Sequence, residues 1–305
     1  MLSRRCLLLA AAPPPPSSLA QSISRIYGQS LPEIVYIQTV PLLARLRLGH
    51  LAAVEALVQP FITGQRDSLA SLTPSHLAGH FLFHELHQHT GKAAYRERLL
   101  AAAQRADPGI YNEMSDGVFM GCPLLAASGD REKAASHFLA LQDLCRRSDG
   151  LWRHSPLSDA AWGRGNAFPL LGLALTMESA PSPQPFLNPF LELAKALLRH
   201  QTPGGLWRQV IDHPNAWEEF SASAMIATAF QKGLRHRWLP RDPFAASLSR
   251  AAAALASRIT ANGEVSAVCE STGKQISLAA YLSRRAISGR DPRGGAFALY
   301  FLTEP

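Results

Sequence analysis

Apolar residues recur at three- and four-residue spacing along nearly the whole chain. The segments are 33–48, 51–60, 75–89, 93–104, 117–127, 132–145, 166–178, 186–199, 219–232, 243–259, 275–285 and 295–303. That spacing lines one face of a helix, whose period is about 3.6 residues. Glycine and proline punctuate the gaps, as at Gly49, Gly91, Pro108-Gly109, Gly129, Pro203 through Gly205, and Pro292 through Gly294. Only two short runs, LWRQVI and EVSAVCE, fit strands. A dozen helices in close succession pair antiparallel, so the expected fold is all-α and one domain. With 305 residues, 47% hydrophobic and 17% charged, the chain has ample material for one core.

The first twenty residues break the pattern. MLSRRCLLLAAAPPPPSSLA carries Arg4 and Arg5, then a short apolar stretch from Cys6 to Ala12, then Ser18, Leu19 and Ala20 before Gln21. This has the order of a bacterial export signal and is similar to a twin-arginine leader; the other reading is a disordered N-terminus. The expected division is a leader over 1–20 and a folded domain over 21–305. The expected location is the periplasm or outside the cell, or the cytoplasm if the leader is no signal. No other run is long and apolar enough to span a bilayer.

Several functions drop out. The net charge of +7 is scattered, without the basic, aromatic-laced block of a nucleic-acid groove. Cys6, Cys122, Cys145 and Cys269 form no CxxC pair, which argues against a zinc knuckle or disulfide framework. HFLFHELHQH places His76, His80, His84 and His87 on one helical face, but it is not HExxH, and one helix cannot close a tetrahedral site. WGRGNAF lacks the third glycine and the preceding strand of a dinucleotide loop. No metal and no cofactor are expected.

Two features point to chemistry. EMSDGVFMGCPLLAASG sets one carboxylate, Asp116, in an otherwise apolar run. Ser115 or Asp116 there serves as a helix cap, or Asp116 is a poorly hydrated acid whose pKa is raised by Val118, Phe119 and Met120. Unusually, the connecting segments carry aromatic and arginine residues: Trp152, Arg153 and His154, then WGRGN, then GGLWRQVIDHPNAWEE. Tryptophan stacks on sugar faces and arginine forks onto carboxylates. The alternative is that the tryptophans plug the core and Arg164 clamps loop carbonyls.

In order, these segments resemble one family, the unsaturated rhamnogalacturonyl hydrolases of glycoside hydrolase family 105, related to the unsaturated glucuronyl hydrolases of family 88. SDGVFMGCPLLAASGD (115–130) is similar to the family's D-x-x-F-M-x-x-P-x-L-A. GLWRHSPLSDAAWGRGNAF (150–168) resembles G-L-W-x-H followed by W-x-R-G-N-G-W. GGLWRQVIDHPNAWEEFSASAM (204–225) resembles G-x-W-x-Q-V and E-x-S-x-S-x-M, and VCESTG (268–273) resembles V-C-x-G-T-G. The resemblance covers about 75–305. It implies an (α/α)6 barrel of six helical hairpins. It also implies a glycosidase that hydrates the C4–C5 double bond of an unsaturated uronyl residue left by a polysaccharide lyase, so the sugar opens and releases its neighbour. The partner is an unsaturated oligosaccharide. Asp116 takes the place of the general acid and base. His154, Trp162, Arg164, Asn166 and Trp207 take substrate-binding places, with Arg164 on the carboxylate and Trp162 stacking; Gly163 and Gly165 let the backbone turn tightly. A second aspartate usual in the family is missing near Ser75 and His76, and Ala167 and Phe168 replace G-W. An impaired oligosaccharide-binding relative, or another (α/α)6 enzyme on uronic sugars, is the competing reading.

Overall fold

The computed structural model describes residues 18–305 except Asn112 and Ala261. Leader residues 1–17 lie outside the described residues. Twelve helical segments alternate between an inner and an outer ring. The inner ones are α2 (Tyr36–Arg47), α4 (Pro74–Gly79) continued by α5 (Phe81–Thr90), α7 (Gly117–Ser128), α9 (Gly163–Ser179), α11 (Phe220–Arg235) and α14 (Pro292–Leu302). Each packs on the next, α2 on α4, α4 on α7, α7 on α9, α9 on α11 and α11 on α14, and α14 closes the ring on α2. The outer helices are α1 (Ser18–Ser24), α3 (Leu51–Ile62), α6 (Ala93–Gln104), α8 (Arg131–Cys145), α10 (Leu187–Arg199) and α12 (Arg241–Ala256). This is the expected barrel of six helical hairpins.

The sequence explains the two rings. Outer α10 buries Phe190, Leu193, Ala194 and Leu197 and exposes its other side, the pattern of an amphipathic surface helix. Inner α7 and α9 are buried on all sides. Six helices can meet this closely only where small residues let backbones approach. At Gly172 of α9, a Cβ would lie 2.7 Å from the backbone N of Phe119 on α7. The axis is filled by aromatic rings from four inner helices, Tyr36, Phe119, Phe168 and Phe297, with centroids 5.2–6.3 Å apart. Such edge-on and tilted contacts suit ring quadrupoles.

Three differences from the expected elements have physical causes. The helix expected over 75–89 breaks at His80, whose ring Nδ1 lies 3.0 Å from the His76 carbonyl; the His80 N–H turns instead to Leu77. Segment 275–285 shrinks to α13 (Leu278–Leu282). The expected start at residue 21 falls inside α1, where Ala20 and Ile23 are fully buried. Both expected strands form: β1 (Trp207–Arg208) pairs with β2 (Glu218–Glu219), and β3 (Val265–Cys269) with β4 (Ala286–Gly289), each antiparallel.

All inner helices run the same way, since each is followed by an outer helix running back. Their C-terminal ends share a buried ion cluster in which Lys232 meets Glu178 (2.7 Å) and Glu304 (3.0 Å), and Arg47 meets Glu304 (2.9 Å). Their N-terminal ends form the opposite rim. Cys122, Cys145 and Cys269 are unpaired and buried.

Gly172→Ala tests the close packing. An alanine usually strengthens a helix, but here its methyl meets the α7 backbone. The expected outcome is a loss of about 1–3 kcal/mol in urea unfolding.

Candidate active site

Every chemically distinctive motif ends at the rim made by the inner-helix N-termini. Asp116 stands just before α7, at the cap position, yet its side chain makes no capping hydrogen bond. Instead its Oδ1 lies 3.4 Å from His154 Nε2. The pair is held from below: the Ser115 N–H donates to the His154 carbonyl (2.9 Å), which fastens the loop after α8 to the start of α7. Gly165, in the first turn of α9, makes room for this join, since a Cβ there would lie 3.3 Å from His154 Cα and 3.1 Å from Ser115 Oγ. Gly163 likewise sits in helix, with a Cβ 2.9 Å from the Arg208 carbonyl. Both glycines serve close approach within α9; the tight turn expected around Arg164 does not occur.

His154 is fully buried, while the Asp116 side chain keeps 15% of its surface exposed. The ring orientation is set by a relay. The Gln275 N–H donates to Tyr281 Oη (3.2 Å), and the phenol shares a hydrogen bond with His154 Nδ1 (2.9 Å). Burial, more than the nearby Asp116, pushes the Tyr281 pKa up to about 12, so the phenol keeps its proton. The ring's other nitrogen, Nε2, faces the Asp116 carboxylate. Neither Nε2 nor Asp116 Oδ1 has a hydrogen-bond partner among the described residues. The Gln209 amide donates to the Tyr281 carbonyl (2.8 Å) and so positions the relay. Trp162 is itself buried in the small core that holds Tyr281, its ring 4.4 Å from that of His154.

The remaining motif residues lie inside the protein. Arg164 is buried and donates to the carbonyls of Cys269 (2.5 Å) and Glu270 (2.8 Å), stands 3.8 Å from the buried carboxylate of Glu219, and covers the Trp162 ring at 4.7 Å. It clamps the segment after β3 to α9, so the expected uronate fork is turned to loop carbonyls. Asn166 exchanges hydrogen bonds with the backbone of Trp152 and donates to the Trp162 carbonyl, fixing the loop that carries His154. Trp207 donates to the Leu197 carbonyl and packs edge-on against Phe230 in the core. Asn166 and Trp207 are both fully buried, as is His154.

Sequence reading missed Tyr281, Gln209 and Glu33. Glu33, from the loop before α2, brings its carboxylate to His76 Nε2 (3.1 Å), so the region without an acid of its own does hold one. Among the described residues no group of three possible metal ligands is assembled. His80 is buried, and desolvation lowers its pKa to about 4.

An all-α ring of six hairpins, with an acid–histidine pair at the inner-helix N-termini, is a six-hairpin barrel with a candidate site at one rim. The family model for Glycosyl Hydrolase Family 88 matches residues 76–305, and the chain belongs to that family. A curated relative, the unsaturated 3S-rhamnoglycuronyl hydrolase of Formosa agariphila, is 31% identical over 101 residues, 31% of this chain. The chain spans about a quarter of that relative's length, 27%. Among solved structures, a family 105 glycoside hydrolase of C. acetobutylicum shares the fold at 22% identity and TM-score 0.74, covering 94% of this chain and 98% of that one. The unsaturated glucuronyl hydrolase of Bacillus sp. GL1, responsible for glycosaminoglycan degradation, does so at 15% identity and TM-score 0.66, covering 93% of each.

Two outcomes follow. Arg164→Met leaves Glu219 buried without its cation, so it should lose about 3–5 kcal/mol in urea unfolding; a purely substrate-facing arginine would leave stability unchanged. His80 binds its proton readily only when unfolded. Its contribution is therefore complete above pH 6.5 and lost as pH falls toward 4. Between pH 7 and 4.5 the wild type should lose about 2–3 kcal/mol through this group, and His80→Gln should show that much less pH dependence.

Proposed function

We propose that the protein removes an unsaturated uronyl residue from lyase-generated oligosaccharides, rhamnogalacturonan type first, by hydrating its C4–C5 double bond. The observation that carries this reading is the Asp116–His154 pair: a carboxylate relieved of capping, at the rim, beside a histidine whose orientation is fixed. Asp116 gives its proton to C4 and then takes one from the water that attacks C5. The elements of water add across the bond, with no oxidant or metal required. The product is a hemiketal at C5, which opens and expels the neighbouring sugar. His154 orients the carboxylate and the incoming water. One carboxylate serves both transfers, unlike the two-acid scheme of ordinary glycosidases.

The family assignment supports a glycosidase, and the names of the relatives support a double-bonded uronyl substrate. An oligosaccharide-binding relative without turnover is the second reading, motivated by Ser75 and His76 standing where an acid is usual. Export through the Arg4-Arg5 leader belongs to the same proposal, and mass spectrometry of the protein from its native host tests it by the presence or loss of Met1. No helix among the described residues is long and apolar enough to cross a membrane.

Conversion is followed by loss of the near-ultraviolet band of an unsaturated galacturonyl-rhamnose or unsaturated glucuronyl disaccharide. Asp116→Asn keeps shape but neither gives nor takes the proton. It should lower kcat by about 10²–10⁴-fold or more while binding is kept. Near-wild-type turnover by this variant would remove Asp116 from the role. A wild type that binds the disaccharide without bleaching it would favour the second reading.

A further inference from the structure

We propose that Arg293, in the first turn of α14, anchors the carboxylate of the uronyl substrate. This rests on the uronyl reading above. In the ring order α14 lies diametrically opposite α7. Phe297 of α14 and Phe119 of α7 meet over the barrel axis with centroids 6.3 Å apart, and with Tyr36 and Phe168 they form an aromatic floor across it. Arg293 precedes Phe297 by four residues and Asp116 precedes Phe119 by three, so each stands one turn above the floor on the same helix face as its ring. The Arg293 guanidinium donates to the hydroxyl of Tyr36, whose ring belongs to that floor.

Three further facts mark it as a ligand-facing cation. Arg293 enters no ion pair within 4 Å among the described residues. The two nearest acids are engaged elsewhere: Asp291 accepts the Gly294 N–H (2.6 Å) as the cap of α14, and Glu219 accepts from Ser221 and Cys269 as the cap of α11. A cation in the first turn also opposes the helix dipole, where an anion is favoured. A bound carboxylate reverses that arrangement and takes the planar fork of the guanidinium. Arg164, the arginine of the sequence motif, is turned toward loop carbonyls, which leaves this duty to α14.

The test compares an unsaturated uronyl disaccharide as free acid and as its methyl ester. Wild-type protein should prefer the acid. Arg293→Gln should raise KM for the acid about 10- to 100-fold, change kcat by a few-fold at most, and leave the ester unaffected, so the preference disappears. Arg293→Lys, which keeps the charge without the fork, should fall between. Thermal unfolding of both variants shows whether they fold. The anchor is overturned if folded Arg293→Gln or Arg293→Lys retains the wild-type preference, or if KM for acid and ester rise together. A wild type that neither binds nor converts the acid overturns the uronyl reading itself and the anchor with it. A wild type that converts the acid with Arg293 shown irrelevant overturns the anchor alone.

Discussion

The approach of α9 to α7 sets where everything at the rim stands. Gly172 lies against the backbone of Val118 and Phe119, and about two turns higher Gly165 lies against His154 and Ser115. Two helices this close cannot slide past one another without collision, because interiors are packed to near-crystal density. The position of Asp116 relative to His154 is thereby inherited from backbone contact. It does not depend on a flexible side chain, and a proton-transfer pair requires such fixity.

The second organising element is the treatment of charge. Arg164 and Glu219 are both buried, and each is satisfied by several partners: carbonyls on one side, cap N–H groups on the other. They join α9, α11 and the segment after β3 into one support for Tyr281 and His154. At the far end, Lys232, Glu178, Glu304 and Arg47 do the same for α2, α9, α11 and α14. Between the two ends the barrel is apolar and aromatic. Six parallel inner helices also direct six positive dipole ends to one rim, a field that suits an anionic sugar.

Much of this was legible in the sequence. Outer helices show a clean three-four period because half of each faces water. Inner helices are buried all round, and α9 was read three residues late because Gly163 and Gly165 hide its first turn. Asp116 and His154 stood out because each falls within one compact motif. Tyr281 did not: it reaches His154 from 127 residues away, through ring closure that no local pattern announces. Glu33 was missed for the same reason, since it meets His76 from 43 residues away. The motif positions Arg164, Asn166 and Trp207 were legible as important, but residue type alone does not say whether a side chain faces a ligand or its own backbone.

The layer above the rim has a small apolar core of its own, made by Ala160, Trp162, Val210, Ala216, Cys269 and Tyr281 and separate from the main one. A unit this size opens more easily than a closed ring of helices, since it buries far less apolar surface. Amides in 155–162 and 265–289 should therefore exchange with solvent ahead of those in α7 and α9. On warming, the contact between His154 and Tyr281 should open while the barrel still stands. Disruption of the rim would then precede the loss of helical signal, and the smallest core would set the upper working temperature.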